Sequence, residues 1–262
     1  MYYDNRFAKP EAAGLDVNHL ALSALAIRVD SFFYSPERLT MGISKFSFRE
    51  KCGFCLSDMS CRVLMDTARL NIPSLSIVTP ASRMQAKFAM DLNAFANTLP
   101  GSLSANLNAR LGFADMAALL PYMKPYVSRM PYAFIDVKGE MKGNMQKAHV
   151  PVFSLQIPGA MTARADGWLQ NLTDIDRLKG HMAFAVRTQQ IDAIRRVLPA
   201  ETAASFRLPS GMALDGKVAF DGAQYNVKAQ LREGGGNAMA AVSLNTRNTV
   251  SYTHLRAHET SA

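Results

Sequence analysis

The chain has 262 residues, 48% of them hydrophobic and 19% charged, with a formal net charge of +8 and a pI of about 9.5. That is enough apolar content for one large domain or two small ones, yet no run approaches the ~20 consecutive apolar residues of a membrane-spanning helix. The basic residues are dispersed and not interleaved with an aromatic patch, which argues against nucleic acid and for a basic solvent face or attraction to anionic lipid head groups.

Residues 1–14 read as a loose lead-in containing Pro10 and Gly14. From Leu15 the period is two, the mark of a half-buried strand. Leu25, Ile27 and Val29 alternate with Ala26, Arg28 and Asp30 before a turn at Ser35-Pro36-Glu37. Leu39, Met41 and Ile43 continue the pattern, and its phase slips at Lys45-Phe46, which predicts a bulge. A turn at Lys51–Gly53 follows, then alternating pairs at Val63 and Met65, Leu70 and Ile72, Leu75 and Ile77, and a run Met84, Ala86, Phe88, Met90. No helix is needed before residue 92.

The stretch 99–123, LPGSLSANLNARLGFADMAALLPYM, changes period. Leu103, Ala105, Leu107, Ala109 and Leu111 alternate, whereas Met116, Leu119, Leu120 and Met123 recur at helical spacing behind Asp115 as N-cap, with Pro121 limiting the length. A shift of 77 residues takes Arg110 to Arg187, Asp115 to Asp192, Gly139 to Gly216, Val150 to Val227 and Met84 to Met161. The second copy, LKGHMAFAVRTQQIDAIRRVLP, predicts another strand and a short helix ending at Pro199. The echo holds from about residue 73 onward, because the position one period before Asp115 is Arg38, in a strand.

Between and after these copies the alternation persists. Ile135, Val137, Gly139 and Met141 lead to a hairpin at Gly143-Asn144, and Val150 and Val152 run into Phe153, Leu155 and Ile157. Pro158-Gly159 turns the chain into Met161, Ala163, Ala165 and Gly167, and Thr173-Asp174 caps a further turn. Met212, Leu214, Gly216, Val218 and Phe220 alternate, Asp221-Gly222 turns, and Tyr225, Val227, Ala229 and Leu231 run back to a glycine turn at 234–236. The expected organisation is a lead-in (1–14), a β-rich segment (15–98), repeat units of strands with a small helix (99–250) and a tail (251–262).

Groups that could carry chemistry do not converge in the sequence. Cys52-Gly-Phe-Cys55 has the spacing of half a zinc ribbon without a second pair, so Cys52, Cys55 and Cys61 read as small strand residues, as a disulfide or, least of all, as metal ligands. His19, His149 and His181 are isolated, and Leu208-Pro-Ser210-Gly211 lacks the glycine of a nucleophile elbow. Trp168 is a core or interface aromatic. The expectation is a protein that is not an enzyme and carries no cofactor or metal. In the tail, His254-x-x-x-His258 has metal-ligand spacing, but SYTHLRAHETSA resembles a translated sequencing adapter, so the expectation is a fragment of a longer chain.

Many strands with one apolar face must cover that face. A trough curled from a long antiparallel sheet does so with a continuous apolar lining, which suits acyl chains. The stretches 15–54 (LDVNHLALSALAIRVDSFFYSPERLTMGISKFSFREKCGF), 72–80 (IPSLSIVTP) and 208–218 (LPSGMALDGKV) resemble the periplasmic portion of TamB-type proteins of the AsmA-like superfamily of Gram-negative bacteria. The resemblance covers nearly all of 15–245 and implies a mainly β, β-taco-like trough. It implies inner-membrane anchoring through an N-terminal segment, phospholipid acyl chains as cargo, and a barrel protein of the outer-membrane assembly machinery as partner. Alternation nominates Leu103, Leu107, Leu111, Val137, Val152, Leu214 and Val218 as the groove lining. The rival expectation is a structural or adhesive cell-surface β-repeat protein with a packed core.

Overall fold

The structure, a computed structural model, describes residues 1–5, 7–9, 14–95, 101–120, 124–127, 134–189, 211–233, 236–246 and 250–258. Its strands are β1 (Tyr2–Asp4), β2 (His19–Ser35), β3 (Arg38–Glu50), β4 (Cys55–Leu56), β5 (Asp58–Asp66), β6 (Arg69–Val78), β7 (Arg83–Asp91) and β8 (Leu103–Gly112). After helices α1 (Phe113–Leu119) and α2 (Lys124–Val127) come β9 (Phe134–Gly143), β10 (Lys147–Ile157), β11 (Met161–Gln170), β12 (Lys179–Thr188), β13 (Ala213–Asp221), β14 (Gln224–Glu233), β15 (Gly236–Asn245) and β16 (Val250–His258). They form one open antiparallel sheet in which the strands follow chain order, with β4 pairing β3 beside the path. The expected mainly β fold with few helices is therefore the fold observed.

The 77-residue echo is a four-strand period. It carries the span of β7 onto β11, β8 onto β12, β9 onto β13 and β10 onto β14, each within about two residues. The same shift carries β5 onto β9 and β6 onto β10, so the correspondence begins about fifteen residues earlier than the side chains advertise. Even an ion pair recurs. Arg110 on β8 holds Asp136 on β9 at 2.8 Å, and Arg187 on β12 holds Asp215 on β13 at 2.7 Å. The expected helix after Asp192, with Pro199, lies outside the described residues.

The chain divides into two compact units, 1–89 with 107–137, and 90–106 with 138–262. In the first, the lead-in contributes β1, paired with His19, Leu20 and Ala21 of β2. The predicted bulge falls beside Lys45. Ser44 on β3 and Asp30 on β2 are both skipped by the register, and the Ser44 hydroxyl donates to the Asp30 carboxylate at 2.7 Å. Pro73 does not end a strand. It sits within β6 where the register with β5 jumps between Arg62 and Leu64, the position at which a strand tolerates a residue without N–H.

Helix α1 corrects the expectation for Asp115. The helix begins at Phe113, Gly112 is its N-cap without a side-chain bond, and Asp115 stands in the first turn. Its carboxylate instead accepts from the hydroxyls of Thr79 and Ser82 in the β6–β7 turn, and Ser82 Oγ also accepts from the Gly112 N–H at 2.9 Å. The cap is glycine for a steric reason, since a Cβ there would stand 2.4 Å from both Cβ and the carbonyl oxygen of Ala81. Phe113 is buried, whereas Leu120, expected on the helix, is its exposed C-cap. Met123 lies outside the described residues.

Glu50 plays the same role at the β2–β3 end. It is buried at 7% exposure and accepts backbone N–H bonds from Ala21, at 3.2 Å, and Cys52. Burial pushes its carboxyl up, but the bonds from Cys52 and the Ala21 and Lys51 backbone outweigh that and hold it below the ordinary value of 4.5. The thiols of Cys52, Cys55 and Cys61 are free and half-buried.

Two outcomes follow. Asp115→Ala strands two hydroxyls and should cost about 1–3 kcal/mol in urea unfolding, while a change below about 0.5 kcal/mol would show that Thr79 and Ser82 do not hold the helix. For Glu50 a lowered folded pKa means a contribution complete above the ordinary value and lost as pH falls through the folded one. The urea midpoints of wild type and Glu50→Gln should therefore converge on going from about pH 6 to about pH 3; a constant gap refutes the assignment.

Candidate apolar binding face

Within the second unit, the register from β10 to β15 sorts side chains into two unlike faces. On one, four rows run across the six strands. Leu155, Ala163, Val186, Leu214, Leu231 and Ala238 are successive partners, as are Val150, Gly167, Met182, Val218, Val227 and Val242. Between them lies the row Phe153, Ala165, Phe184, Gly216, Ala229, Ala240, and beyond them Ala148, Leu169, Gly180, Phe220, Tyr225, Leu244. None of these positions carries a charge. The opposite face is polar, with rows such as Ser154, Arg164, Ala185, Asp215, Gln230, Met239.

This arrangement follows directly from a side-chain period of two with every neighbour antiparallel. Among the described residues the face stays partly open. Its residues are mostly half-buried, Phe153 and Leu244 are exposed, and among the described residues no large side chain is fully buried; the two apolar residues closest to zero exposure are Ala148 and Ala160.

Glycine and phenylalanine trade places where β12 meets β13. Gly180 is the partner of Phe220, and Gly216 is the partner of Phe184. A Cβ on Gly216 would stand 2.5 Å from the Phe184 ring and 2.6 Å from the Lys228 carbonyl oxygen, and one on Gly180 would stand 2.5 Å from the Phe220 ring. Each ring therefore lies across a bare backbone, which shields the ladder hydrogen bonds and keeps the surface level. Phe220 also stacks on Tyr225 at 6.0 Å.

The nominated residues divide between the two units. Leu107, Leu111 and Val137 belong to the first and Leu103, Val152, Leu214 and Val218 to the second. Leu103 is buried at 4% exposure, and Leu107, Leu111 and Val137 are half-buried. Leu214 and Val218 share the apolar face. Val152 does not fit. The register jumps between Val150 and Phe153, so Pro151 and Val152 form the bulge and Val152 is 46% exposed. Phe153 takes its place on the face, a switch visible in the sequence as adjacent apolar residues at 152 and 153. Phe184, Val186, Val227, Leu231 and Val242, which alternation had not nominated, stand on the same face as Leu214 and Val218.

A cavity of about 390 Å³ is lined by Asp215, Gly216, Lys217, Lys228, Ala229, Gln230, Met239, Ala240 and Ala241. Alternation puts the side chains of Asp215, Lys217, Lys228, Gln230 and Met239 on the polar face, and neither Leu214 nor Val218 lines it. Trp168 also stands on that face. Its ring lies 4.5 Å from that of His149 and 4.7 Å below Lys147 Nζ, so Trp168 is an exposed aromatic, at 36%, with a cation–π contact and no place in the core. Among the described residues no three His, Cys, Asp or Glu side chains converge as a metal site. His254 and His258 lie on β16, opposite Ala241 and Asn237, in an extended backbone and not on a helix; four residues along a strand separate them by roughly 13 Å.

No family model, curated protein or solved structure matches the chain.

Gly216→Val should lower stability by about 1–3 kcal/mol, since the Lys228 backbone cannot yield to the added atoms. Equal urea midpoints for the variant and wild type would show that Phe184 and β14 move aside without strain.

Proposed function

We propose that the chain is a segment of a periplasmic, TamB-type envelope protein whose apolar sheet face carries phospholipid acyl chains between the inner and outer membranes. A role in outer-membrane protein assembly belongs to the same reading. The observation that supports it is the set of four uncharged rows across β10–β15, in which, among the described residues, no large side chain is fully buried. Each acyl methylene taken from water onto such a face gains about 0.8 kcal/mol, whereas transfer from a bilayer interior exchanges one apolar medium for another at little net cost. A passive conduit needs that near-neutral exchange. It also needs no general base, nucleophile or metal. A packed adhesive repeat calls for filled interior layers, and the half-buried rows among the described residues favour the conduit over it.

Site-specific photo-crosslinking tests this reading. A benzophenone side chain introduced in place of Val218, expressed in a Gram-negative periplasm, should give phospholipid adducts by mass spectrometry, and one in place of Lys217, on the opposite face, should not. Equal labelling at both positions, or none at Val218 with the protein folded, overturns the proposal.

A further inference from the structure

The polar face of the second unit carries a charge arrangement that the lipid reading does not use. Lys217 on β13 and Lys228 on β14 are direct partners across the ladder, and both are exposed. Side chains so paired start about 5 Å apart, and like charges placed there destabilise a sheet. Among the described residues neither ammonium has an ion-pair partner. The carboxylates of β13 are already committed, Asp215 to Arg187 at 2.7 Å and Asp221 to Lys179 at 2.8 Å. The next partners outward in the same row are small and uncharged, Ala183 beside Lys217 and Ala241 beside Lys228. Nor does the repeat demand two cations here, since one 77-residue period earlier the same positions hold Glu140 and Pro151.

Both lysines line the cavity of about 390 Å³, and Met239 and Ala241 give it an apolar wall. Arg232 donates to Gln230 Oε1 at 3.2 Å, which leaves the Gln230 amide N–H groups to donate to a ligand. We propose that this cavity binds a small organic phosphate, its phosphoryl oxygens bridging Lys217 and Lys228 and its apolar body against Met239 and Ala241. A phosphate dianion suits two facing ammonium groups better than a carboxylate, because it brings two charges and three acceptor oxygens. Bound there, it turns a repulsive pair into a shared counter-ion site. The volume lies near the lower end of the range for small-molecule sites, about 300–1,000 Å³. That leaves room for one ring or short chain beside the phosphate, and not for a two-chain phospholipid. The site is therefore separate from the apolar face and does not rest on the lipid reading.

Isothermal titration calorimetry of the 262-residue chain with phenyl phosphate tests the assignment, at about pH 8, where the phosphate is a dianion. Saturable binding is expected, at least about tenfold tighter than that of inorganic phosphate, which lacks the apolar body. Lys217→Gln and Lys228→Gln should each weaken it about tenfold. Met239→Ser, which keeps both charges, should bring phenyl phosphate close to the inorganic ion. Phosphatidylglycerol vesicles should not displace phenyl phosphate. All three substituted side chains are exposed, so the variants retain the sheet. No saturable binding, equal affinity for the two phosphates, indifference to both lysine variants, or displacement by the vesicles overturns the proposal.

Discussion

Everything in the second unit depends on one geometric constraint, the strict alternation of side chains along strands whose neighbours are all antiparallel. Partners that face each other across a ladder share a side of the sheet, so a polar-apolar alternation in each strand becomes an apolar surface six strands wide. No single side chain creates that surface, and no single loop could. The price is that a face of this breadth exceeds what its own side chains can seal, and Phe153, Leu244 and the half-buried rows around them remain partly open.

Three devices keep the constraint from failing. Bulges reset phase: Val152 is set aside so that Val150 and Phe153 stay on one face, and Asp30 with Ser44 does the same between β2 and β3. Glycines at Gly180 and Gly216 make room for Phe220 and Phe184, so large rings lie along the sheet instead of standing up from it. In the first unit, Asp115 ties α1 to the β6–β7 turn, which makes the helix a fixture of the strands beside it rather than an independent element. Each device spends local regularity to preserve the register over a longer distance.

The chemistry that follows is uniform. The rows on the apolar face contain no titratable group apart from the Tyr225 phenol, and the charged side chains of β11–β13 sit behind it, some of them paired as Arg187 is with Asp215. A surface of this kind discriminates by shape and hydrophobicity, and it exchanges one apolar contact for the next. This suits the passive conduit proposed above.

Much of this was written in the sequence by itself. Alternation located the strands, turn chemistry at Gly53, Gly143, Gly159 and Gly222 located their reversals, and the 77-residue echo announced a repeating unit, because period and turn preference are local properties of the chain. The lining was only partly legible. Leu214 and Val218 could be assigned to a face, but Val152 could not, since which of two adjacent apolar residues a bulge discards depends on the partner strand. Asp115 had the position of a cap, and only the folded chain revealed hydroxyls from Thr79 and Ser82 waiting for it. Pro73 inside β6 and the four-strand extent of the repeat were likewise decided by pairing between segments far apart in sequence. Local pattern determines what each strand is; register, a relation between strands, determines which of its residues do the work.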